Sequence, residues 1–392
     1  MVHPPAGHDA ALCWVFPVSA LPPQPLTSRC VIGRAEDCNV RLVGRAVSRH
    51  HAEIRHDSET ILLSDLQSMN GVFVNGVGVT HVPVAEGDVL RLGNWVGYLA
   101  AHATSGQNPG SITELGHHVW GGAAFARSLE PLRAAARSKV PVTLIGEPGT
   151  GKELLARALH AWSGRHGPFR TFNCATLSEA QATRELFGAR TRGGRRARAP
   201  ASTAESAGLL QATEGGTLLL EEVGELSPAL QERLLQVHAT GRVGVNGTSV
   251  PADVRLVVTR HGQHGRAGGP LARALSANGA GLELALPPLR QRVPEIPALF
   301  CHFVDEYFRG EPFTLDAELI ESLCLYSWPG NVRELEFLAR QLVAMHHSAR
   351  EIGRRDLPRR ILDAVKRRAQ GLPPGPDADA TRPDVGTAVA FS

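Results

Sequence analysis

Lysine is scarce in this chain, and long apolar runs are absent. Lys139, Lys152 and Lys366 are its lysines, arginine supplies the remaining positive charge, and the formal net charge over 392 residues is +3. So small an excess does not by itself indicate a nucleic-acid partner. No run approaches the roughly 18 apolar residues of a membrane span, and the N-terminus has no signal-peptide pattern. We therefore predict a cytoplasmic protein without membrane contact.

Cysteine pairs and metal-ligand clusters are missing from the sequence as well. The six cysteines are scattered, with no C-x-x-C pair, which is typical of buried thiols in a reducing compartment. None of the 17 histidines stands in a cysteine or carboxylate set at ligand spacing, so no structural metal site is predicted. Hydrophobic residues make up 43% and charged residues 20%, which excludes a wholly disordered or fibrous chain.

The stretch from residue 142 to 156 has the pattern of a nucleotide-binding loop. An apolar run of β type ends at Gly146, a glycine-rich loop follows, and a helical pattern begins near Lys152. Glycines let backbone N–H groups approach phosphate oxygens, and Lys152 can reach the β- and γ-phosphates. Glu153 stands where this motif usually has the Ser or Thr that binds Mg²⁺. We predict an ATP site formed by Gly146, Glu147, Gly149, Thr150, Gly151, Lys152 and Glu153.

The N-terminal third predicts an all-β fold. Short β-rich segments bounded by Gly, Pro, Asn or Asp follow one another from residue 11 to about 101, and no window has helical periodicity. A sandwich of antiparallel strands is the natural packing for such a pattern. The predicted strands are 11–19, 29–32, 40–42, 52–55, 60–64, 72–74 and 89–98.

Polar motifs lie in the loops between these strands: Gly33-Arg34, Ser48-Arg49-His50-His51, 65–71 (DLQSMNG) and Asn75-Gly76. In this order they resemble the forkhead-associated (FHA) domain, whose marks are GR, SRxH and DLxSxNGxxxNG. The resemblance implies that these loops bind a phosphothreonine-containing protein. Arg34 can offer a planar fork to phosphate and Ser48 a hydroxyl donor, and His51 is expected to brace the loop. Met69 stands where the family commonly has a Thr that contacts phosphate. The peptide-binding residues so implied are Arg34, Ser48, Arg49, Ser68, Asn70 and Asn75.

From residue 120 onward, helical and strand patterns alternate, as in a parallel α/β sheet. The predicted elements are a helix at 123–137, a strand at 140–145, a helix at 152–162, strands at 169–174, 217–220 and 254–258, and a helix at 296–308. Glu221 and Glu222 follow a buried strand, where Mg²⁺ and an attacking water belong. We predict that Glu221 holds Mg²⁺ through a bound water and that Glu222 is the general base.

Residues 120 to 363 resemble the AAA+ ATPase domain of the sigma-54-dependent transcription activators. The matching motifs are GEPGTGKELLARALH, PFRTFNCATL, ELFG at 185–188, GGTLLLEEVGEL, LPPLRQR at 286–292 and SWPGNVRELE at 327–336. The resemblance implies a ring-forming ATPase with a helical lid that acts on sigma-54 RNA polymerase. It also implies that Asn173 is a switch residue that restrains Glu222, and that Arg333 on the lid reads the γ-phosphate.

The sequence departs from that family in residues of the catalytic site and in the loop that contacts sigma-54. The loop after ELFG, which engages sigma-54 in the family, is here 189–200 with five arginines and no aromatic residue. Either it makes an electrostatic contact with nucleic acid or an acidic partner, or it is a solvated loop. Glu221 replaces an Asp, and Mg²⁺ tolerates little geometric error.

The remaining two departures concern the residues that respond to the γ-phosphate. The two arginine-finger positions fall at Ala272 and Asn278, with Arg273 adjacent as an imperfect substitute. A missing finger costs about 10³–10⁵ in rate. The family's first sensor Asn falls at His261.

These patterns predict a multidomain fold: an all-β FHA sandwich at 10–101, a linker at 102–118, an α/β AAA+ P-loop core at 119–300, a helical lid at 301–363, and a disordered tail at 364–392. The tail is too short and proline-rich for a DNA-reading helix-turn-helix, so no sequence-specific DNA binding is expected. One hypothesis is an active ATPase that remodels sigma-54 holoenzyme after a Ser/Thr kinase signal. The favoured hypothesis is a relative that binds ATP, Mg²⁺ and phosphopeptide and hydrolyses ATP slowly or not at all. Such a relative either joins the ring of an intact activator or acts as an adaptor.

Overall fold

The computed structural model describes residues 10–18, 21–56, 60–100, 108–188, 208–245, 248–261, 269–276, 281–308, 313–345 and 351–372. The arginine-rich segment 190–198, Asn278 and the tail from residue 373 lie outside the described residues. The described part of the chain forms two compact units. The first comprises 10–113, 120–125 and 289–372, and the second comprises 114–119 and 126–288.

The N-terminal part of the first unit is the predicted sandwich. Its first sheet has the strand order Gln24–Pro25, Ala11–Phe16, Trp95–Ala100, Val89–Leu92, Val72–Val74, Val77–Val79. Its second sheet has the order Val40–Arg41, Arg29–Gly33, Ala52–His56, Ile61–Asp65, His81–Val84. Neighbouring strands are antiparallel, except that Val40–Arg41 runs parallel to Arg29–Gly33. Inward-facing side chains of both sheets, such as Leu12, Ile32 and Leu63, are fully buried.

One predicted strand of the sandwich is wrong. The segment 89–98 is a hairpin of Val89–Leu92 and Trp95–Ala100, not a single strand. Gly93 turns the chain with a φ of 59°, and a Cβ there would lie 2.4 Å from the carbonyl oxygen of Ala46. A Gly-Asn pair between two apolar runs is a hairpin signal, so the sequence carried this turn. The strands Gln24–Pro25, Val77–Val79 and His81–Val84 were also missed.

The second unit is an α/β domain with a five-stranded parallel sheet. The strand order is Phe169–Asn173, Thr217–Glu221, Arg255–Arg260, Val142–Ile145, Leu282–Ala285. Leu218, Leu219 and Leu220 are fully buried, because helices cover both faces of such a sheet. The predicted parallel sheet is confirmed, and Leu282–Ala285 is a strand that the sequence reading missed.

Helices of the second unit surround this sheet. Lys152–Ser163 buries Leu155, Ala156, Ala158 and Leu159 and ends at Gly164. The other helices are Glu130–Ala134, Glu179–Phe187, Leu209–Ala212, Pro228–Thr240 and Gly269–Ser276, and the strands Arg242–Val245 and Thr248–Pro251 pair antiparallel. The predicted helix 123–137 is instead Ala123–Ser128 followed by Glu130–Ala134, because Pro131 allows a new helix to start at its first turn.

The C-terminal helices of the first unit are Ile296–Phe308, Ala317–Leu325, Asn331–Met345 and Arg359–Ala369. Short strands Thr314–Leu315 and Glu351–Ile352 pair in parallel between them. The last helix continues past residue 363, so the predicted tail begins later. The predicted linker is also partly ordered: Asn108 Nδ2 donates to the carbonyl oxygens of Trp14 and Leu21 at 3.0 and 3.2 Å. None of the described helices is long and apolar enough to cross a bilayer.

Candidate functional sites

The predicted nucleotide loop joins strand Val142–Ile145 to helix Lys152–Ser163 in the second unit. Gly149 and Gly151 adopt φ values of 77° and 94°, a region that costs side-chain-bearing residues energy. Lys152 Nζ donates to the carbonyl oxygens of Gly146 and Glu147 at 2.7 and 3.0 Å. Thr150 Oγ1 also donates to Glu147 O, at 2.8 Å. The ammonium therefore lies within the loop, where phosphate oxygens can compete with the carbonyls for its protons.

Glu153 is the second residue of the helix, and its carboxylate bonds to the helix itself rather than to the loop. Its Oε1 accepts from Arg157 Nη2 at 2.7 Å, one helical turn further on. Both side chains are about half exposed, so this pair contributes little to stability. A negative residue in the first turn suits the helix dipole but replaces the hydroxyl that holds Mg²⁺ in this motif.

The order of the parallel strands brings the sensor position and the acidic pair to the same edge of the sheet. The backbone N–H of Gly146 donates to Arg260 O at 3.3 Å, and His261 follows directly. Across the next strand, Glu222 Oε2 lies 3.1 Å from His261 Nε2. The Glu222 backbone has a φ of 55°, and its N–H donates to Thr259 Oγ1 at 3.1 Å. A non-glycine residue in this strained region often marks a functional position.

The remaining predicted catalytic residues lie around that edge. Asn173 is opposite Glu221 in the strand register, and its Oδ1 accepts from the N–H of Ala175 at 3.0 Å. The contact to Glu222 is thus made by His261, and restraint by Asn173 stays a prediction. Cys174 is buried beside this acidic group. Burial, with the nearby charges of Glu222 and Glu221, raises the pKa of its thiol to about 12, so it is not a thiolate nucleophile.

Arg273 lies exposed on helix Gly269–Ser276. It lines a cavity of about 590 Å³ with side chains that include Cys174, Glu179, Glu225 and Gln231. Glu179 and Glu225 are carboxylates, so the cavity is lined by charges of both signs. The role of Arg273 as a substitute finger stays a prediction. Arg333 lies in the first unit, exposed on the first turn of helix Asn331–Met345.

The predicted phosphopeptide loops meet at one end of the sandwich through His51. This side chain is fully buried. Its Nδ1 accepts from the N–H of Ser48 at 3.0 Å, so Nε2 carries the proton and donates to Gly71 O at 3.1 Å. Burial lowers the pKa of His51, which keeps the ring neutral. His51 therefore braces two loops, as the sequence reading expected.

Ser48 and the 68–75 segment are tied together by further hydrogen bonds. Ser48 Oγ accepts from the N–H of Met69 at 3.1 Å, and Asn70 Nδ2 donates to Ala46 O at 2.8 Å. Ser68 Oγ is buried, and within the described part of the chain it has no hydrogen-bond partner, so it can bond to a ligand. Asn75 differs, because its Nδ2 donates to Asp88 Oδ1 at 2.7 Å and its Oδ1 accepts from Val89 at 3.1 Å. Its amide braces the sandwich.

Arginines line a shallow cleft beside these loops. The cleft has a volume of about 430 Å³ and is lined by Arg34, Arg41, Val43, Gly44 and Arg45. Among the described residues, neither Arg34 nor Arg45 has a carboxylate within ion-pair distance, and Arg41 reaches Glu36 only at 3.8 Å. The concentration of positive charge gives this cleft the electrostatic character that an anion requires. Arg41, the last residue of strand Val40–Arg41, and Arg45, in the loop before Ser48, are not among the residues predicted from the sequence.

Asp37, Cys38 and His50 form a three-residue group that could hold a metal ion, which the sequence reading did not expect. His50 Nε2 lies 2.9 Å from Asp37 Oδ2, and Cys38 Sγ donates to Arg49 O at 3.2 Å. Protein partners therefore already satisfy these groups.

Models of known families match most of the chain in three segments. The FHA domain matches residues 30–93, the sigma-54 interaction domain matches 120–267, and the AAA+ ATPase lid domain matches 290–372.

Curated relatives and solved structures agree with these matches. A Nif-specific regulatory protein of Rhodobacter capsulatus is 35% identical over 254 residues, which is 63% of this chain and 43% of that protein. The sigma-54-dependent transcriptional activator SfnR of Pseudomonas putida is 37% identical over 56% of this chain and 59% of its own length. The chain thus spans less than two thirds of these relatives. The crystal structure of NtrX from Brucella abortus has a TM-score of 0.50 and 26% identity, covering 63% of this chain and 59% of that one. A second NtrX structure, in complex with ATP, is 24% identical with the same TM-score and coverages.

Proposed function

Since this chain carries an FHA domain joined to the AAA+ domain and lid of the sigma-54-dependent activators, we propose that it is a phosphorylation-responsive regulator that binds ATP and hydrolyses it weakly. The observation that carries this proposal is the 3.1 Å contact between Glu222 and His261 beside an intact phosphate-binding loop. A general base must accept a proton from water, and a carboxylate paired with an imidazole is less available for that step.

ATP is the nucleotide that we propose for this loop. Lys152 and the glycine turns supply the phosphate contacts, and the solved relative in complex with ATP supports the same ligand. Glu221 would hold Mg²⁺ through a bound water, and Glu153 stands where the motif usually has a hydroxyl ligand; the ion would neutralise charge on the phosphates. Their longer side chains, relative to Asp and Thr, argue for a less well-placed ion and slow turnover.

We propose that the phosphopeptide loops receive the signal to which this regulator responds. Arg34 and Ser48 would hold the phosphate, and Arg41 and Arg45 would add positive charge along the same cleft. We propose a phosphothreonine-containing protein as the partner, so that a Ser/Thr kinase sets the occupancy of this site. The output would be an intact activator of the same family, joined in a mixed ring, with sigma-54 RNA polymerase as the eventual target.

A second candidate function is an active ATPase that itself remodels sigma-54 holoenzyme. The observation in its favour is the strained φ of 55° at Glu222, because strain that persists at a strand end is typical of catalytic residues. The two candidates differ in whether the purified chain turns ATP over.

The decisive experiment is steady-state ATP hydrolysis over a range of protein concentrations, beside equilibrium binding of a fluorescent ATP analogue. Lys152→Ala is the control, because it removes the phosphate-binding ammonium. We expect the wild type to bind the analogue, the control to bind it at least tenfold more weakly, and turnover to stay low at every concentration. Turnover that rises steeply with concentration and disappears in the control would refute weak hydrolysis and support the second candidate.

Phosphopeptide binding is tested with a degenerate peptide library that has a fixed phosphothreonine. Losing a charge-assisted hydrogen bond of about 1.5–3 kcal/mol weakens binding roughly 10- to 100-fold, and we expect that loss for Arg34→Ala. Arg45→Ala should weaken it less. Arg55→Ala is the matched control, since Arg55 pairs with Glu53 elsewhere in the sandwich. Equal binding of phosphorylated and unphosphorylated libraries would refute the proposed input.

A further inference from the structure

Segment 41–47 carries two of the three arginines that line the cleft beside the phosphopeptide loops. Arg41 ends strand Val40–Arg41, and Arg45 lies in the loop that leads from this strand to Ser48. Together with Arg34 they line a volume of about 430 Å³. Sites for whole small molecules measure about 300–1,000 Å³, so the cleft has room beyond a single phosphate group.

The backbone places Arg34 between Ser48 and segment 41–47. The N–H of Arg34 donates to Ser48 O at 3.0 Å, and the N–H of Leu42 donates to Gly33 O at 2.8 Å. The carbonyl of Gly33 and the N–H of Arg34 belong to one trans peptide group, so they point in opposite directions. Gly33 is also the register partner of Arg41. A phosphate held by Arg34 and Ser48 therefore has Arg41 on the far side of Arg34.

Segment 41–47 is held in place before any ligand binds. Leu42 is fully buried, and Trp95 Nε1 donates to Val43 O at 2.9 Å. Asn70 Nδ2 donates to Ala46 O at 2.8 Å, which ties the segment to a predicted peptide-binding residue. A loop that is already ordered loses little conformational entropy on binding, and this favours affinity.

The positive charge of the cleft exceeds the charge of one phosphate. Its three arginines are exposed and stay charged at neutral pH, whereas a phosphothreonine carries only about −1.5 to −2. About one positive charge of the cleft therefore remains for another anionic group. Glu36 compensates little of it, because it is 3.8 Å from Arg41 and the two side chains are 89% and 58% exposed.

We propose that segment 41–47 forms a second anion site, and that the phosphopeptide partner carries another anionic group, a carboxylate or a second phosphate, close to its phosphothreonine. This inference rests on the proposed function, because it assigns a further feature to the same ligand. A planar guanidinium forms paired hydrogen bonds to either group, so Arg41 and Arg45 select for charge at one place in the peptide. The carboxylates of Glu36 and Asp37 are at least 70% exposed and would repel the continuous charge of a nucleic acid, which favours a peptide.

The test measures dissociation constants of synthetic peptides by fluorescence anisotropy, using the full chain. The reference peptide is the tightest binder from a phosphothreonine library that contains no acidic residue and no second phosphate. In its derivatives, one glutamate or one phosphoserine moves through the neighbouring positions on each side. At one position, or at two adjacent ones, we expect binding to tighten about 5-fold for glutamate and about 10-fold or more for phosphoserine. A gain for phosphoserine alone identifies a second phosphate and a gain for both identifies any anionic residue, and either result supports the proposal.

The double variant Arg41→Gln with Arg45→Gln removes the second site and leaves Arg34 and Ser48 in place. We expect it to bind the reference peptide within about threefold of the wild type, because exposed charges that do not touch the ligand are screened. The gain from the added anionic group should disappear. Arg55→Gln is the matched control, since it removes an exposed positive charge from another part of the sandwich, and its gain should equal that of the wild type.

Equal affinities of the wild type for the reference peptide and for every derivative would overturn the second anion site. A gain that persists in the double variant would overturn it too, and so would a gain that Arg55→Gln also removes, because net charge would then be the cause. In these cases the reference peptide still binds, so the proposed function stands. If no phosphothreonine peptide binds the wild type, the proposed function is refuted, and this inference with it.

Discussion

Replacing Arg91 with methionine should strongly destabilise the first unit, although the substitution keeps most of the apolar stem. Arg91 Nε donates to Glu321 Oε2 at 2.7 Å, and the two side chains are 9% and 6% exposed, so solvent screens the pair little. Removal of one partner from a buried ion pair costs about 3–5 kcal/mol, because the other charge is left unpaired. Loss of the contact between the Arg91 guanidinium and the Phe73 ring adds about 0.5–2 kcal/mol. Against a typical unfolding free energy of about 5–15 kcal/mol, this is a large loss.

The loss should also depend on pH in a defined direction. Burial raises the pKa of Glu321, in opposition to Arg91 and the N–H of Gly76, which lower it. A carboxyl group with a raised folded-state pKa contributes stability below its unfolded-state pKa, and that contribution declines as pH rises through the folded value. Arg91 is the largest influence that lowers the pKa, so its removal makes the neutral acid still more favoured. The variant should therefore lose more stability near about pH 7.5 than near about pH 5.

Urea unfolding monitored by tryptophan fluorescence suits this prediction. The first unit holds most of the tryptophans, namely Trp14, Trp95, Trp120 and Trp328, and the second unit holds Trp162. The double variant Arg91→Met with Glu321→Gln should recover most of the loss, because it leaves no charge unpaired. A single-variant loss of about 1 kcal/mol or less, the value of an exposed pair, would show that water reaches Glu321 and refute the reasoning.

Three shorter predictions follow from other contacts. His51→Gln should reduce the loss of sandwich stability between about pH 7 and pH 5. Burial lowers the pKa of His51, so the stability that its neutral ring contributes is lost as pH falls. Thermal unfolding of the wild type and the variant across that range measures the difference, and parallel stability curves would contradict the prediction. His261→Asn should raise ATP turnover by roughly 10-fold or more, because it weakens a bond to Glu222 of about 1.5–3 kcal/mol. An unchanged or lower turnover would mean that His261 assists Glu222 as the general base. Gly76→Ala should cost about 1–2 kcal/mol, because φ is 80° and Leu325 is close, and a neutral result in urea unfolding would argue against a fixed turn.

Local motifs made both candidate sites predictable. The glycines of the phosphate-binding loop encode the positive φ values found at Gly149 and Gly151, because few other residues adopt them at low cost. Apolar runs such as 217–220 predict buried parallel strands, and the sheet of the second unit contains them. The role of Arg41 and Arg45 could not be predicted from the sequence, because only the folded chain brings them into one cleft with Arg34.

The predicted bounds of helices and strands were wrong where one residue with special backbone geometry interrupts a longer pattern. The pattern predicts one long strand across Gly93, because the residues on both sides are equally apolar, yet the chain turns there into a hairpin. The helix predicted at 123–137 divides before Pro131. In each case a single residue with special backbone geometry outweighed the pattern around it.

The sequence by itself determined the two kinds of domain and the residues that could bind phosphate in each. Those properties depend on backbone preferences and side-chain chemistry within a few residues, so they can be read locally. Only the tertiary structure decided which distant groups meet: Arg91 and Glu321 are 230 positions apart, and Glu222 meets His261 because a parallel sheet aligns the ends of neighbouring strands. These groups meet because the apolar surfaces of the elements that carry them pack and exclude water, and no spacing in the sequence specifies which elements will pack.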